Sequence, residues 1–280
     1  MRGSIPGEVL GDANHVRGRT GYASPVTSAA WQGRSSISAA GLRPVAASSG
    51  KRLGALFYDA LKERLLEGGF PAGSRLPVEA LKAEYGVSKQ PIMEALRRLA
   101  ADGLVEIIPQ VGCQVPVYQR QEVEDFFAVF GGMEGAVAGV AANRSTAPRL
   151  DDLVAANAEI GLLRAEPDAS ARAHGYRVLN RRFHWLVHEM AHSPVIAEIS
   201  RRMWDMSDLL INTSGLQQPL ASAVSERHDD HERIIAALRE RDAEAARREM
   251  EAHVVGTVTV IRTEAAPPDG EPNRDLPTGP

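Results

Sequence analysis

Asn180 and His184 stand four residues apart, His231 opens the run His231-Glu232-Arg233-Ile234-Ile235-Ala236-Ala237-Leu238, and His253 follows Met250 by three. Residues four apart on a helix share a face. Three imidazoles and a side-chain oxygen, brought together from three helices, would suit a divalent transition metal, with zinc, nickel or manganese as the candidates. The spacing alone leaves a second reading open, because a single histidine on a helix is more often packed or solvated than a ligand. His188 and His192 continue the row of Asn180 and His184, but the 3.6-residue period carries them off the face, so they are expected outside the site. His228 is expected at the surface, and Trp185 and Trp204 in the core.

A second set of residues suits recognition rather than ligation. In the stretch from Ser88 to Leu99, Ile92, Ala95, Leu96 and Leu99 take the i, i+3, i+4, i+7 positions and must face a core. Lys89, Gln90, Met93 and Arg97 are left pointing outward. Ser88 is a good N-cap whose side chain is expected to bond the N–H of Gln90, and Pro91 falls at N3, where no intrahelical partner is lost.

The elements that must hold these residues follow from punctuation and period. Residues 1–50 are rich in Gly, Ser, Ala and Pro and show no sustained period, so a disordered tail is expected; residues 264–280, with Pro267, Pro268, Pro272, Pro277 and Pro280, read the same way. From 51 to 117 the pattern is a helix ended by Gly68-Gly69, a second helix from Pro77 to Tyr85-Gly86, a tight turn, and the helix after Ser88. A β-hairpin follows, from Leu104 to Ile108 and from Cys113 to Val115. Helix, short turn, helix and hairpin make a winged helix-turn-helix. From 118 to 263 everything reads as helix, broken at Ala147-Pro148, Glu166-Pro167, Ser193-Pro194 and Gln217 to Pro219, which implies a bundle of about six helices. The fold class is therefore mainly α, in two domains.

The first domain resembles the winged helix of GntR-type bacterial transcription regulators. The residues that carry the likeness are Gly73-x-x-Leu76, Leu81-x-x-x-Tyr85-Gly86-Val87-Ser88-Lys89-x-Pro91-x-x-Glu94-Ala95-Leu96, Leu99-x-x-x-Gly103-Leu104-Val105 and Pro109-x-x-Gly112. The resemblance implies that the recognition helix enters the major groove of a double-stranded operator. Ser88, Lys89 and Gln90 then sit nearest the bases, Arg75 and Arg97 face phosphates, and Gln110 and Gly112 lie at the wing tip. One position departs from the family, which usually has Arg before the Glu-Ala-Leu; here it is Met93, expected to pack or to meet a thymine methyl.

The second domain is similar to the FCD ligand-binding domain of the FadR subgroup, on Asn180-x-x-Phe183-His184, Ser193-Pro194 and His231-x-x-Ile234-x-x-Ala237-Leu238-x-x-x-Asp242-x-x-x-Ala246-x-x-x-Met250-x-x-His253. The likeness implies that Asn180, His184, His231 and His253 hold the metal, with a small effector at or near it. Relatives commonly place an Arg one turn before a Glu in the first helix of this domain, where it can help hold a carboxylate. Here Phe130-Gly131-Gly132-Met133 precede Glu134, so that clamp is missing, and the Gly pair is expected either to serve close packing or to loosen the helix.

Together these readings describe a regulator, with repression and effector-induced release as the expected sign, an organic acid as the expected effector, and a homodimer reading a pseudo-palindrome. The competing reading is a helical metalloenzyme around the same histidines, which would leave the winged helix unexplained. The 280 residues are 44% hydrophobic and 24% charged, and contain one cysteine, Cys113, which cannot form an internal disulfide. No uninterrupted apolar run of membrane length or secretory signal is evident, and a cytoplasmic location is expected. Taken as an average, the net charge of −4 argues against nucleic acid, but residues 1–117 carry 14 basic against 10 acidic side chains and residues 118–280 carry 18 against 26. The average conceals a basic first part, although 51–117 alone is only 9 against 8, which predicts modest nonspecific affinity for DNA.

Overall fold

The computed structural model describes residues 50–265; of the expected tails 1–50 and 264–280, all but Gly50, Glu264 and Ala265 lie outside the described residues, and those three are helical, with Glu264 held by Leu220 N and Ser222 Oγ. In chain order the elements are α1 (Gly50–Leu66), α2 (Val78–Tyr85), α3 (Lys89–Ala101), β1 (Glu106–Ile108), β2 (Gly112–Gln114), α4 (Arg120–Arg144), α5 (Ala147–Leu162), α6 (Ala169–Ala191), α7 (Pro194–Asn212), α8 (Val224–Glu240) and α9 (Ala243–Ala265). A short 3-10 turn, Leu163–Ala165, follows α5. The expected breaks fall where the helices start or stop, with Pro148 and Pro194 each in the first turn of its helix. Six helices make up the second part, as read from the sequence.

In the first part, Phe57, Leu61, Leu65 and Leu66 of α1 pack on Ile92, Ala95, Leu96 and Leu99 of α3, all buried. Gly86 closes α2 in the left-handed region, its N–H bonding Lys82 O. Ser88 is extended at the start of α3 but makes no side-chain capping bond, contrary to expectation; its exposed hydroxyl is left to other partners. The strands pair antiparallel, with Ile107 opposite Cys113. They are shorter than the sequence pattern suggests, because Leu104 and Val105 turn inward to the core before the ladder begins. A segment the sequence pattern did not suggest joins the wing: Gly73 N bonds Val115 O, Val115 N bonds Ser74 O, and Leu76 N bonds Cys113 O. Arg75 is thereby placed beside β2, bridged to Gln114.

In the second part α4 is the central helix. It opens with a capping box in which Gln119 N–H donates to Glu122 Oε2 at 2.7 Å. By length and composition it is apolar enough to cross a membrane, yet half of that stretch is buried in the bundle, principally against α9. Glycines allow this approach: a β-carbon on Gly131 would lie 2.7 Å from Val255 Cγ2, on Gly135 2.8 Å from Arg247 O, and on Gly139 3.0 Å from Ala243 O. Gly132 faces open space. Close packing is therefore the role of Gly131, and α4 runs without interruption through the pair.

Two apolar cores result, one in each part, within one compact unit that contains all the described residues. The division near residue 117 is crossed by a buried apolar side chain: Leu209 of α7, fully buried, belongs to the core of the winged helix, whereas Leu210 and Ile211 beside it belong to the bundle.

Because the atom opposing Gly135 is backbone and cannot give way, Gly135→Ala should destabilise the protein by about 1–3 kcal/mol. Gly132→Ala should be neutral or stabilising by about 0.5–1 kcal/mol. Urea unfolding of the two variants checks both, and equal effects would disprove the close-packing account.

Candidate functional site

The bundle brings His184 of α6, His231 of α8 and His253 of α9 together in its interior, each offering one nitrogen within 4.8 Å of the others. All three are buried. Phe183 stacks on the His231 ring with centroids 3.8 Å apart, and Trp204 lies against His184 at 4.3 Å.

The neighbours assign the tautomers. Asn157 of α5 donates its amide to Glu232 Oε1 at 2.6 Å, which turns its oxygen toward His231 Nδ1 at 3.2 Å, so that Nδ1 must be the donor. His253 Nδ1 likewise donates to Asp230 Oδ2 at 3.1 Å. Both protons are then committed, and the two Nε2 lone pairs face each other at 3.2 Å. Burial, first, pushes both imidazoles well below the ordinary histidine range; the other histidines and Arg227 add to it. Two lone pairs at hydrogen-bond distance with no proton between them repel, and a cation placed between them removes that cost.

His184 extends the pattern. Its Nδ1 lies 3.4 Å from Glu134 Oε2, and neither ring nitrogen has a hydrogen-bond partner. Burial lowers its pKa more than the carboxylate raises it, so it too is neutral. An orphaned, buried imidazole nitrogen beside two others is the donor set that a metal needs, and a carboxylate or amide behind each ring is how such rings are held. The histidines thus fit a divalent ion on their chemistry.

Asn180 is one turn before His184 and buried, and its Oδ1 accepts a hydrogen bond from Tyr176 Oη at 3.1 Å. An amide oxygen has a second lone pair, so this bond leaves it one to give.

The sequence reading missed the residues behind the ligands. His188 is not outside the site: it is buried and its Nε2 lies 2.9 Å from Glu134 Oε1, because a four-residue step rotates it by only about 40° on the helix. Glu134 also accepts Ser200 Oγ at 2.6 Å. Burial raises its pKa, but the His184 and His188 imidazoles beside it outweigh this and hold it at about 2. Arg227 is buried, donating to His253 O at 2.9 Å and pairing with Asp230. A signal existed for Asn157, a polar residue among Leu153, Ala156 and Ile160 on a buried face; for Ser200 and Arg227 no local pattern carried one. His192, at the left-handed end of α6, takes no part. His228 is half-buried, with its ring against Gly161 and Arg164. Trp185 is exposed, bonded to Glu189, and not a core residue.

The other site is the face of the winged helix. Lys89, Gln90 and Arg97 are exposed along α3, and Arg75 is exposed beside the wing. Among the described residues, no acidic side chain pairs with Lys89, Arg97 or Arg75. Met93 is half-buried against the core, which bears out packing. At the wing tip Val111 N bonds Ile108 O, and Gln110 holds φ 63° in the second central position of a type II turn. Gly112 has φ 121°, a conformation that itself demands glycine.

Comparison with known proteins agrees with this division. The family model for bacterial regulatory proteins of the gntR family matches residues 56–115, and the FCD domain model matches 125–256. The chain is 24% identical to the HTH-type transcriptional repressor GlaR of Escherichia coli over 207 residues, 73% of this chain and 94% of that protein. It is 25% identical to a putative L-lactate dehydrogenase operon regulatory protein of E. coli, over 76% of this chain and 87% of the relative. Among solved structures, E. coli McbR/YncC superposes with a TM-score of 0.64 at 18% identity, over 76% of this chain and 99% of that one. A GntR regulator from Rhodococcus sp. RHA1 gives 0.60 at 19%, over 77% and 100%.

The buried neutral imidazoles set a pH dependence. Their folded pKa values lie below the unfolded value near 6.5, so below that pH the unfolded chain binds more protons. Stability is full above about pH 6.5 and falls on acidification, by about 1.4 kcal/mol per pH unit for each imidazole that stays neutral. Glu134, held at about 2 against 4.5, adds a second loss below about pH 4.5. Urea unfolding of chelator-treated protein at pH 7 and pH 5 should show the first loss, and His231→Gln/His253→Gln should flatten it. A flat profile in the native chain would mean that the folded imidazoles accept protons.

Proposed function

The chain belongs to the GntR family of bacterial regulatory proteins and carries an FCD domain, and from that premise we propose that it is a metal-dependent, metabolite-controlled repressor. It is a transcription regulator that binds DNA, not an enzyme. On our reading His184, His231 and His253, with Asn180, hold one divalent ion. The observation that carries this is the convergence of three neutral, buried imidazoles, two of whose Nδ1 protons are committed to Asn157 and Asp230.

A bound ion would supply a Lewis-acid contact for an anionic effector. The chain's own residues do the rest. Asn157, Glu134 and Asp230 orient the rings, and Phe183 and Trp204 wall the site with apolar surface. Three imidazoles favour zinc or nickel over manganese. With Asn180 in place of an acidic ligand, the negative charge that balances the ion comes from Glu134 and Asp230, one step removed. A small organic acid is the effector class that suits a cation in such a wall; the similarity to a regulator named for an L-lactate dehydrogenase operon supports it. A homodimer follows from the DNA, because one winged helix reads too few base pairs and two related by a dyad read a pseudo-palindrome. The sign, repression, is supported by the likeness to GlaR, which is named a repressor. A cytoplasmic protein is the reading consistent with DNA as partner.

Elemental analysis of protein purified without chelator should give about one zinc or nickel per chain, and His231→Ala should remove it while the helical content remains. Native protein without metal would overturn the site. In mobility-shift assays with the DNA upstream of the protein's own coding sequence, Gln90→Ala/Arg97→Ala should weaken specific binding at least about tenfold, the loss of one base contact and one phosphate contact. Unchanged binding would overturn the assignment of α3.

A further inference from the structure

Helix α7 reaches from the histidine site into the winged helix. In its first half Ser200 Oγ bonds Glu134 Oε1 at 2.6 Å, the carboxylate beside His184, and Trp204 lies against the His184 ring. One turn further its side chains meet the DNA-binding part. Leu209 is buried in the winged-helix core, and the Met206 methyl lies 3.5 Å from the position a β-carbon on Gly103 would take, in the turn that ends α3.

The polar face of the same helix carries a buried ionic joint. Asp205 pairs with Lys62 of α1 and accepts Arg181 Nη1 at 2.9 Å. Asp208 lies 3.3 Å from Arg177 Nη1 and 2.8 Å from Arg181 Nε, and Arg177 continues to Glu63 of α1 and to Glu67 in the turn just after it. Asn212 Nδ2 donates to Leu66 O at 2.8 Å. Arg177 and Arg181 belong to α6, the helix that presents Asn180 and His184. One turn earlier on the same face of α1 as Lys62, whose Nζ lies 5.8 Å over its ring, Tyr58 donates to Asp102 Oδ2 at 2.5 Å, and Arg98 of α3 sits 4.0 Å over that ring.

Both carboxylates of α7 are buried, and an ion that loses its partner in such a place keeps its full desolvation cost. The joint therefore holds or re-forms as a unit, whereas apolar contacts alone would let α1 slide. A joint that is made or lost as a unit is the kind of interface through which a shift is transmitted.

We propose that α7 is the element that transmits occupancy of the histidine site to the DNA-binding part. A shift at Ser200 and Trp204 is carried through Asp205 and Asp208 to Lys62 and Glu63 of α1 and Glu67 just beyond it, and so to α3. This rests on the metal site proposed above. Amide exchange on the full chain, chelator-treated and then loaded with Zn²⁺, tests it. In the native protein zinc should slow exchange in α1 and at residues 102–104 about fivefold. In Lys62→Gln/Glu63→Gln/Glu67→Gln, whose side chains are partly exposed and whose loss leaves both cores intact, zinc uptake should be unchanged and the slowing should drop below about twofold. Equal slowing in the triple variant overturns the joint and leaves the metal site standing. Zinc uptake by the native chain with no change in α1 overturns it too. No uptake at all overturns the site, and the joint with it.

Discussion

Burial favours the neutral form of an imidazole, and a neutral ring presents one N–H that calls for an acceptor and one lone pair that calls for a donor or a cation. In this bundle the first condition is met for His231 by Asn157 and for His253 by Asp230, with Glu134 behind His184. The second leaves three ring nitrogens, one from each histidine, within 4.8 Å of one another. Much of the bundle is arranged around this constraint. Helix α5 contributes Asn157, α4 Glu134, α8 both Asp230 and His231, and α7 Ser200 and Trp204. The glycines of α4 let it lie close on α9, the helix that delivers His253.

The same helices have a second obligation, and it is met with charge. Asp205 and Asp208 on α7 and Arg177 and Arg181 on α6 face the DNA-binding part, where an apolar seam would have sufficed for stability. Leu209 supplies that seam as well, in the other core. The ionic contacts set orientation, the apolar ones set proximity, and both depend on the placement of α6 and α7 around the histidines.

The winged helix is less charged than its partner would lead one to expect. Its exposed cations, Lys89, Arg97 and Arg75, stand without acidic partners among the described residues, while Arg98 is spent on Tyr58 and Arg64 on Glu84. Few free cations in fixed places favour contact with a particular site over a general attraction to phosphate. Gln110 and Gly112 show that the wing tip is shaped by its turn as much as by its target, since both hold positive φ.

Amino-acid sequence alone determined what is periodic or punctuated. The stripe of Ile92, Ala95, Leu96 and Leu99, the prolines at helix starts, the six helices and the shared face of Asn180 and His184 were all legible, because each depends on neighbours within a few residues; the grouping of His184 with His231 and His253 rested on family resemblance rather than on local pattern. The tertiary structure decided what depends on residues far apart in the chain. It showed that His188 turns inward to Glu134, that Asn157 and Asp230 fix the tautomers, that Ser88 makes no cap bond, that Trp185 is exposed, and that Leu209 crosses from one core to the other. A helical period gives the direction in which a side chain leaves its own helix. What it meets there is set by packing between helices, and no local pattern contains that information.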